Sequence, residues 1–196
     1  MAKLELFYPI KNPFFVTQKF GDNLVPLYKQ LGMLGHNGWD AIGEIGQPIY
    51  AAHDGIVTFA GEDGSGGLGI VVRTLDKFEY QGGESYFKSI YWHCKTGSFA
   101  VKAGEIVKVG QKLAECDTTG LAQGSHLHFG LKPLAQGEQE WQWTNLEQNN
   151  GYLGAIDPAP YWNGYFAVDA PQVLGIMRAM IELLKKVVNL LISAKK

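Results

Sequence analysis

A mainly β domain of antiparallel hairpins, followed by an amphipathic C-terminal α-helix, is the architecture that this sequence predicts. Three observations predict it. β-Branched and aromatic residues gather in short runs bounded by Gly-containing turns. The 25 glycines and 8 prolines are scattered rather than periodic, which excludes a collagen-like or low-complexity chain. After Asp169 and Pro171 the pattern changes to a helical one, with an acidic residue and Pro at its start and lysines at its end, as a helix dipole favours.

Taken in order, strands are expected at Phe14 to Phe20, Pro48 to Ala60, Gly69 to Leu75, Ser85 to Cys94, Ile106 to Glu115 and Ser125 to Leu131. The segments GEDGSGG, QGG, KAG and TTGLAQG separate them. From Pro133 to Tyr165 periodicity is weak, but Trp141, Trp143, Tyr152, Tyr161, Trp162 and Tyr165 predict an ordered loop region that closes the domain, its aromatics serving mainly as core. The boundary falls near residue 168, giving a domain over 1–168 and a helix over 169–196. At ~100° per residue, Gly175, Arg178, Glu182, Lys185, Lys186, Asn189 and Ser193 share one narrow polar arc, and apolar residues fill the rest. Val173, Met177, Met180, Leu184, Val187 and Leu191 also form a heptad-like seam. The helix is therefore expected to lie on an anionic membrane surface, to self-associate or to pack back on the β domain. Arg178, Glu182, Lys185 and Lys186 interrupt the apolar run and argue against full membrane spanning.

The chain has 196 residues, 46% of them hydrophobic, enough to bury one sizeable core. Its formal charge of −2 is unevenly placed. Residues 171–196 hold five Lys/Arg against one Glu, and residues 1–170 hold 12 Lys/Arg against 18 Asp/Glu. An acidic body without interleaved Arg and aromatics excludes a nucleic-acid enzyme. Cys94 and Cys116 form neither a disulfide framework nor a CxxC pair, and are expected to be buried free thiols.

The chemistry-bearing residues are the five histidines, His36, His53, His93, His126 and His128. Two of them form His-Leu-His within SHLHFGL, and residues two apart in a strand face one side. In HNGWD, His36 and Asp40 are four apart, an even spacing that shares a face if the segment is extended. Two imidazoles and a carboxylate are a catalytic-zinc ligand set, because they leave a fourth position open. Spacing alone does not decide which of His126 and His128 would bind metal.

HNGWDAIGEIGQPIYAAHDGIVTFAG resembles the first zinc motif of the M23 (lysostaphin-like) metallopeptidases, His-x-Gly-x-Asp followed by a small-residue strand and an Asp-Gly turn. YWHC is similar to their Tyr-x-His element, VKAGEIVKVGQKLAECDTTG to the hairpin before their last motif, GSHLHFGL to their His-x-His strand, and AIDPAPYW to their domain ending. The similarity runs from about Phe14 to Trp162 with the motifs in order. It implies an antiparallel β-sheet peptidase core with loops around a groove. It further implies one zinc per chain on His36, Asp40 and His128, with His93 and His126 as non-ligand catalytic histidines. A zinc ion would lower the pKa of its water from ~15.7 to ~7; one histidine would then carry a proton and the other bind the oxyanion. The resemblance leaves open which does which. The implied substrate is the peptide part of peptidoglycan.

Some features depart from the family pattern. Cys94 stands where an aliphatic residue commonly follows the Tyr-x-His histidine, and is expected to point away from the face that His93 uses. His53 is expected to be a surface or turn residue. The stretch QGEQEWQWTNLEQNNGYLG is expected to wall the groove, and Tyr28 is a candidate tyrosine either for supporting a metal ligand or for polarising substrate. The first twenty residues show no apolar h-region and no A-x-A-like cleavage site, so the expectation is synthesis in the cytoplasm and action on the cell wall, as in a phage lysis enzyme. Three other readings compete: an inert M23-like scaffold, a lipoyl- or biotinyl-type carrier, and a virion structural protein. All the expected ligands are present, and a carrier would leave the ordered histidines unexplained.

Overall fold

The computed structural model describes residues 2–10, 13–139, 142–166 and 180–185. The chain divides into two compact units, Met1–Tyr165 and Phe166–Lys196. In the second unit, residues 180–185 are helical and Lys185 Nζ donates to Glu182 Oε1 at 2.8 Å. The rest of the helix expected over 169–196, with most of its polar arc, lies outside the described residues, as does Trp141. No helix among the described residues is long and apolar enough to cross a membrane.

Eleven strands are described in the first unit. They are β1 (Val16–Gln18), β2 (Trp39–Ile42), β3 (Pro48–Tyr50), β4 (Gly55–Asp63), β5 (Gly67–Thr74), β6 (Phe78–Tyr80), β7 (Gly83–Trp92), β8 (Ile106–Val107), β9 (Lys112–Glu115), β10 (His126–Ala135) and β11 (Thr144–Asn145). Helix α1 is short, Leu27–Gln30. The main sheet runs β1-β2-β10-β7-β5-β4-β8, with β11 on β10 and β6 on β7; β3 and β9 form a separate pair. Every pairing between these strands is antiparallel.

Alternation gives the main sheet one core face and one open face. On β10, Leu127, Phe129 and Leu131 are fully buried in the core, with Tyr91 and Phe87 of β7, Ile70 and Val72 of β5, and Val57 of β4. Ile49, Leu113 and Ala114 of the β3–β9 pair join the same cluster. The intervening positions of β10, His126 and His128, therefore belong to the open face. There Gly69 of β5 keeps a place for Trp92 of β7, because a Cβ at Gly69 would lie 1.6 Å from the indole Cε3.

Two expected strands are each broken in two. Pro48 to Ala60 becomes β3 and β4, in different sheets, with a bend at residues 52–54 between them. Ile106 to Glu115 becomes β8 and β9 across a turn at 109–110, where Gly110 takes φ +77°. The N-terminal segment, which carries no strand signal, supplies Leu4, Leu6 and Ile10 to the core. Leu6 also bridges Trp162, with Leu6 N–H donating to Tyr161 O and Asn163 N–H to Leu6 O. Tyr8, Phe14, Trp162 and Tyr165 make ring contacts at this closure; of the loop aromatics, Tyr161 and Trp162 pack against the core as expected, whereas Tyr165 is exposed.

His53 corrects the sequence expectation: it sits in a bend but is 5% exposed, not on the surface. Its Nδ1–H donates to Asp54 O at 2.8 Å, leaving Nε2 to accept from Ser89 Oγ at 2.8 Å. Ser89 is also 3.0 Å from the Tyr91 hydroxyl, which accepts from Ala52 N–H at 2.9 Å. The network pins the β3–β4 bend to β7, which explains a buried imidazole where sequence alone gives a turn.

Burial pushes the His53 pKa below its ordinary value, against a smaller opposing effect of Asp54. The unfolded chain then takes up a proton as pH falls through about 6.5 while the folded chain does not, so this contribution to stability is full above that pH and is lost below it. Denaturant unfolding should show stability falling between pH 7 and 5, and falling less steeply in His53→Asn. Parallel pH profiles of the two proteins would remove His53 from the account.

Candidate metal and catalytic site

Three side chains converge where β2 meets β10. The register pairs Asp40 with His128 and Ile42 with His126, which brings the carboxylate of one strand against the imidazoles of the next. His36 enters from the loop before β2. Its N–H donates to Asp22 O at 2.8 Å and its carbonyl accepts from Gly21 N–H at 2.8 Å, which fixes its backbone. His36 Nε2 lies 2.9 Å from His128 Nδ1 and 3.1 Å from Asp40 Oδ1, and His128 Nδ1 lies 3.0 Å from Asp40 Oδ1.

These three atoms form a nearly equilateral triangle. A tetrahedral ion with bonds of about 2.0–2.1 Å has ligand-to-ligand edges of about 3.3 Å, so the triangle is close to one face of such a polyhedron. The tautomer of His36 agrees: Nδ1 is 3.2 Å from Lys19 O, which can only accept, so Nδ1 carries the proton and the Nε2 lone pair faces the triangle. Among the described residues this is the one group of three or more His, Cys, Asp or Glu side chains arranged to hold a metal ion. Burial tends to raise the Asp40 pKa, but hydrogen bonds from His128 and His36 hold its carboxyl well below the usual range, so it is ionised. Burial lowers the His128 pKa, which favours the neutral imidazole, the form able to ligate a metal.

The other two histidines flank the triangle. His126 Nδ1–H donates to Gly124 O at 2.9 Å, and its Nε2 lies 3.7 Å from Asp40 Oδ1, too far for a hydrogen bond. His93 Nδ1–H donates to Thr119 O at 2.7 Å. The two rings are 4.5 Å apart by centroid, and with each Nδ1 engaged by a carbonyl it is Nε2 of each ring that is left for the groove. Burial, reinforced by His126 and His128, lowers the His93 pKa to about 4, so it is neutral near pH 7. His93 has a left-handed backbone, φ +64°, which costs a non-glycine residue about 1–3 kcal/mol and persists where neighbours over-determine it. Here its N–H donates to Gly66 O, its carbonyl accepts from Asp117 N–H, and its ring is held by Thr119.

Tyr28, in α1, lies with its ring centroid 5.7 Å from that of His36. Burial and the charge of Asp40 raise its pKa to about 12 against a hydrogen bond with Gln18, so its hydroxyl stays a donor. All six residues line a groove of about 640 Å³. Its rim includes Leu24, Leu31, Ile42, Leu121 and Leu153, which are exposed. Of the stretch expected to wall the groove, Leu153 is the described residue that lines it. Sequence reasoning missed Trp92, the apolar rim and the three orienting carbonyls of Lys19, Thr119 and Gly124. A main-chain carbonyl has no residue type to signal it.

The likeness to known proteins agrees with this geometry. The family model described as "Peptidase family M23" matches residues 34–140, more than half of the chain. The chain belongs to peptidase family M23. It is 38% identical over 100 residues to "Peptidoglycan DD-endopeptidase ShyB" of Vibrio cholerae, an alignment that covers 48% of this chain and 20% of that protein. It is 31% identical over 129 residues to "Glycyl-glycine endopeptidase ALE-1" of Staphylococcus capitis, covering 64% and 28%. The chain thus spans less than a third of the length of these relatives. Among solved structures it resembles the catalytic domain of lysostaphin from Staphylococcus simulans, at 25% identity and a TM-score of 0.54, over 76% of this chain and 92% of that one. It also resembles a zinc-containing peptidase from Vibrio cholerae at 28% identity and a TM-score of 0.54, over 67% and 37%.

Gly38 gives a sharp test of the triangle. A Cβ there would lie 2.4 Å from Phe129 O and 2.8 Å from His128 Cε1. Gly38→Ala should displace the His128 ring and weaken divalent-metal binding by about tenfold or more, measured by competition with a chromogenic chelator. Unchanged affinity in a folded variant would mean that His128 is not a ligand.

Proposed function

We propose that this chain is a zinc-dependent endopeptidase that cleaves peptide crosslinks or stem peptides of bacterial peptidoglycan. The observation that carries the proposal is the triangle of His36 Nε2, Asp40 Oδ1 and His128 Nδ1, with edges of 2.9–3.1 Å, beside two histidines whose Nε2 is left for the groove. The names of the relatives, DD-endopeptidase and glycyl-glycine endopeptidase, support the substrate class. In this proposal His36, Asp40 and His128 hold the ion. Zinc there supplies Lewis acidity, which makes water nucleophilic near neutral pH and polarises a peptide carbonyl.

The chain's own residues do the rest. The apolar rim of the groove excludes water from an extended peptide and sets the scissile bond against the histidines. Nε2 of His126 or His93 accepts a proton from the attacking water and returns it to the leaving amine, because the Nδ1–H of each ring is engaged by a main-chain carbonyl and Nε2 is the nitrogen left to face the groove. The Tyr28 hydroxyl donates toward charge developing on the carbonyl oxygen. We further propose that the chain acts on the cell wall, in a lytic role, and that its C-terminal helix lies on an anionic membrane surface. The helical proposal rests on the sequence pattern of its polar arc.

The purified chain should hold about one zinc, and chelation should abolish wall lysis. His36→Ala, Asp40→Ala and His128→Ala should lose metal and activity together. His93→Ala and His126→Ala should keep metal and lose ~10²-fold or more in turnover. Zinc content and lysis rate across the series decide this, and metal-independent lysis would refute the assignment. Mass spectrometry of fragments from peptidoglycans of different crosslink chemistry identifies the bond cut. For the helix, full-length chain should sediment with anionic vesicles, and the triple change of Arg178, Lys185 and Lys186 to Glu should abolish this. A stable oligomer indifferent to vesicles would assign the helix to self-association instead.

A further inference from the structure

Cys94 and Cys116 are 22 residues apart in sequence and face each other across two antiparallel segments. The flanking hydrogen bonds define the kind of pair. Lys95 N–H donates to Glu115 O at 2.8 Å and Asp117 N–H to His93 O at 2.9 Å, so the two cysteines occupy a non-hydrogen-bonded position between them. At such a position the Cα atoms of an antiparallel pair approach to about 4.5 Å with side chains on the same face. That separation lies within the range of about 4.4–6.8 Å that a disulfide spans. Both thiols are free and fully buried. Gly43 packs against Cys116, where a Cβ would lie 2.5 Å from the Sγ, so the missing side chain makes room for that sulfur.

We propose that Cys94 and Cys116 are a disulfide-forming pair, closed by exchange with a small-molecule disulfide while the chain folds. With oxidised glutathione as the oxidant, one cysteine loses its proton to solvent and its thiolate attacks the glutathione disulfide. A mixed disulfide forms and one glutathione thiolate leaves. The second cysteine, deprotonated in turn, attacks the protein sulfur of that mixed disulfide. The Cys94–Cys116 bond forms and the second glutathione leaves as a thiol. Two protein thiols are oxidised, and one glutathione disulfide is reduced to two thiols.

The fold restricts when this can happen. Burial, then the neighbouring Cys116, pushes the Cys94 thiol up to about 12; burial and Asp117 do the same to Cys116. Exchange requires the thiolate and access to it, so the closed domain resists both oxidation and reduction. The pair therefore keeps the redox state in which the chain folded. Its position also connects it to the site. Cys94 follows His93, and Cys116 lies three residues before Thr119, whose carbonyl orients the His93 ring. The bond would tie the segment that carries the histidine to the segment that orients it.

The full chain, unfolded and refolded in a glutathione redox buffer or under a phosphine reductant, tests this. Thiols are then counted in denaturant and the intact mass is measured. The redox-refolded monomer should show no thiols and a mass lower by two hydrogens. Its Tm should rise by about 5–10 °C over the reduced form, from closure of the loop between the cysteines. Cys94→Ser and Cys116→Ser should each have the same Tm in both buffers. Two persistent thiols, glutathione adducts on both cysteines, or disulfide-linked dimers would overturn the proposal. So would an equal Tm difference in the serine variants.

Discussion

The register of β10 between its two neighbours is the constraint on which the site depends. On one side His128 is paired with Asp40, on the other with Trp92. A slip of one residue along β10 would turn both histidines into the core and bring Leu127 and Phe129 onto the open face. That alternative is strongly disfavoured, because Leu127, Phe129 and Leu131 are fully buried and each large apolar side chain contributes about 1.5–3 kcal/mol by leaving water. The apolar side of the strand thus holds the polar side in place. Chemistry and core are two faces of one segment, and the energy that positions the imidazoles comes from side chains on the opposite face of the strand.

The same logic explains what could be read from the sequence. The pair of histidines in SHLHFGL is legible because strand periodicity is local, and the resemblance that the intervening motifs carry brings His36 and Asp40 to the same place. The antiparallel class is legible for the same reason. The breaks in the expected strands are not, because they depend on which sheet each half joins. Ile49 and Val57 both belong to the core cluster, yet they come from different sheets. His53 shows the limit most clearly. Its neighbours in sequence describe a turn, whereas its burial comes from Ser89, 36 residues away.

The geometry of the histidines depends on main-chain carbonyls to a degree that sequence cannot express. Lys19, Thr119 and Gly124 contribute no side chain to the site, yet each accepts the Nδ1 proton of one histidine. Each carbonyl fixes a tautomer and so decides which nitrogen faces the groove. Because these acceptors sit in loops, side chains there can vary while the orienting function is retained, provided that the backbone path is kept. The positive φ of His93 belongs to the same design: a strained residue is held by contacts to Gly66, Asp117 and Thr119 at once.

The triangle of side chains also has a topological meaning. Asp40 and His128 are 88 residues apart, and His36 and His128 are 92 apart. Any cation held between them would act as a cross-link that closes most of the domain into a single ring. In the unfolded chain such a link would remove a large share of conformational freedom, and the cost of closing a long loop rises only slowly with its length. Coordination would then be coupled to cooperativity, with β2, β7 and β10 melting together rather than in turn.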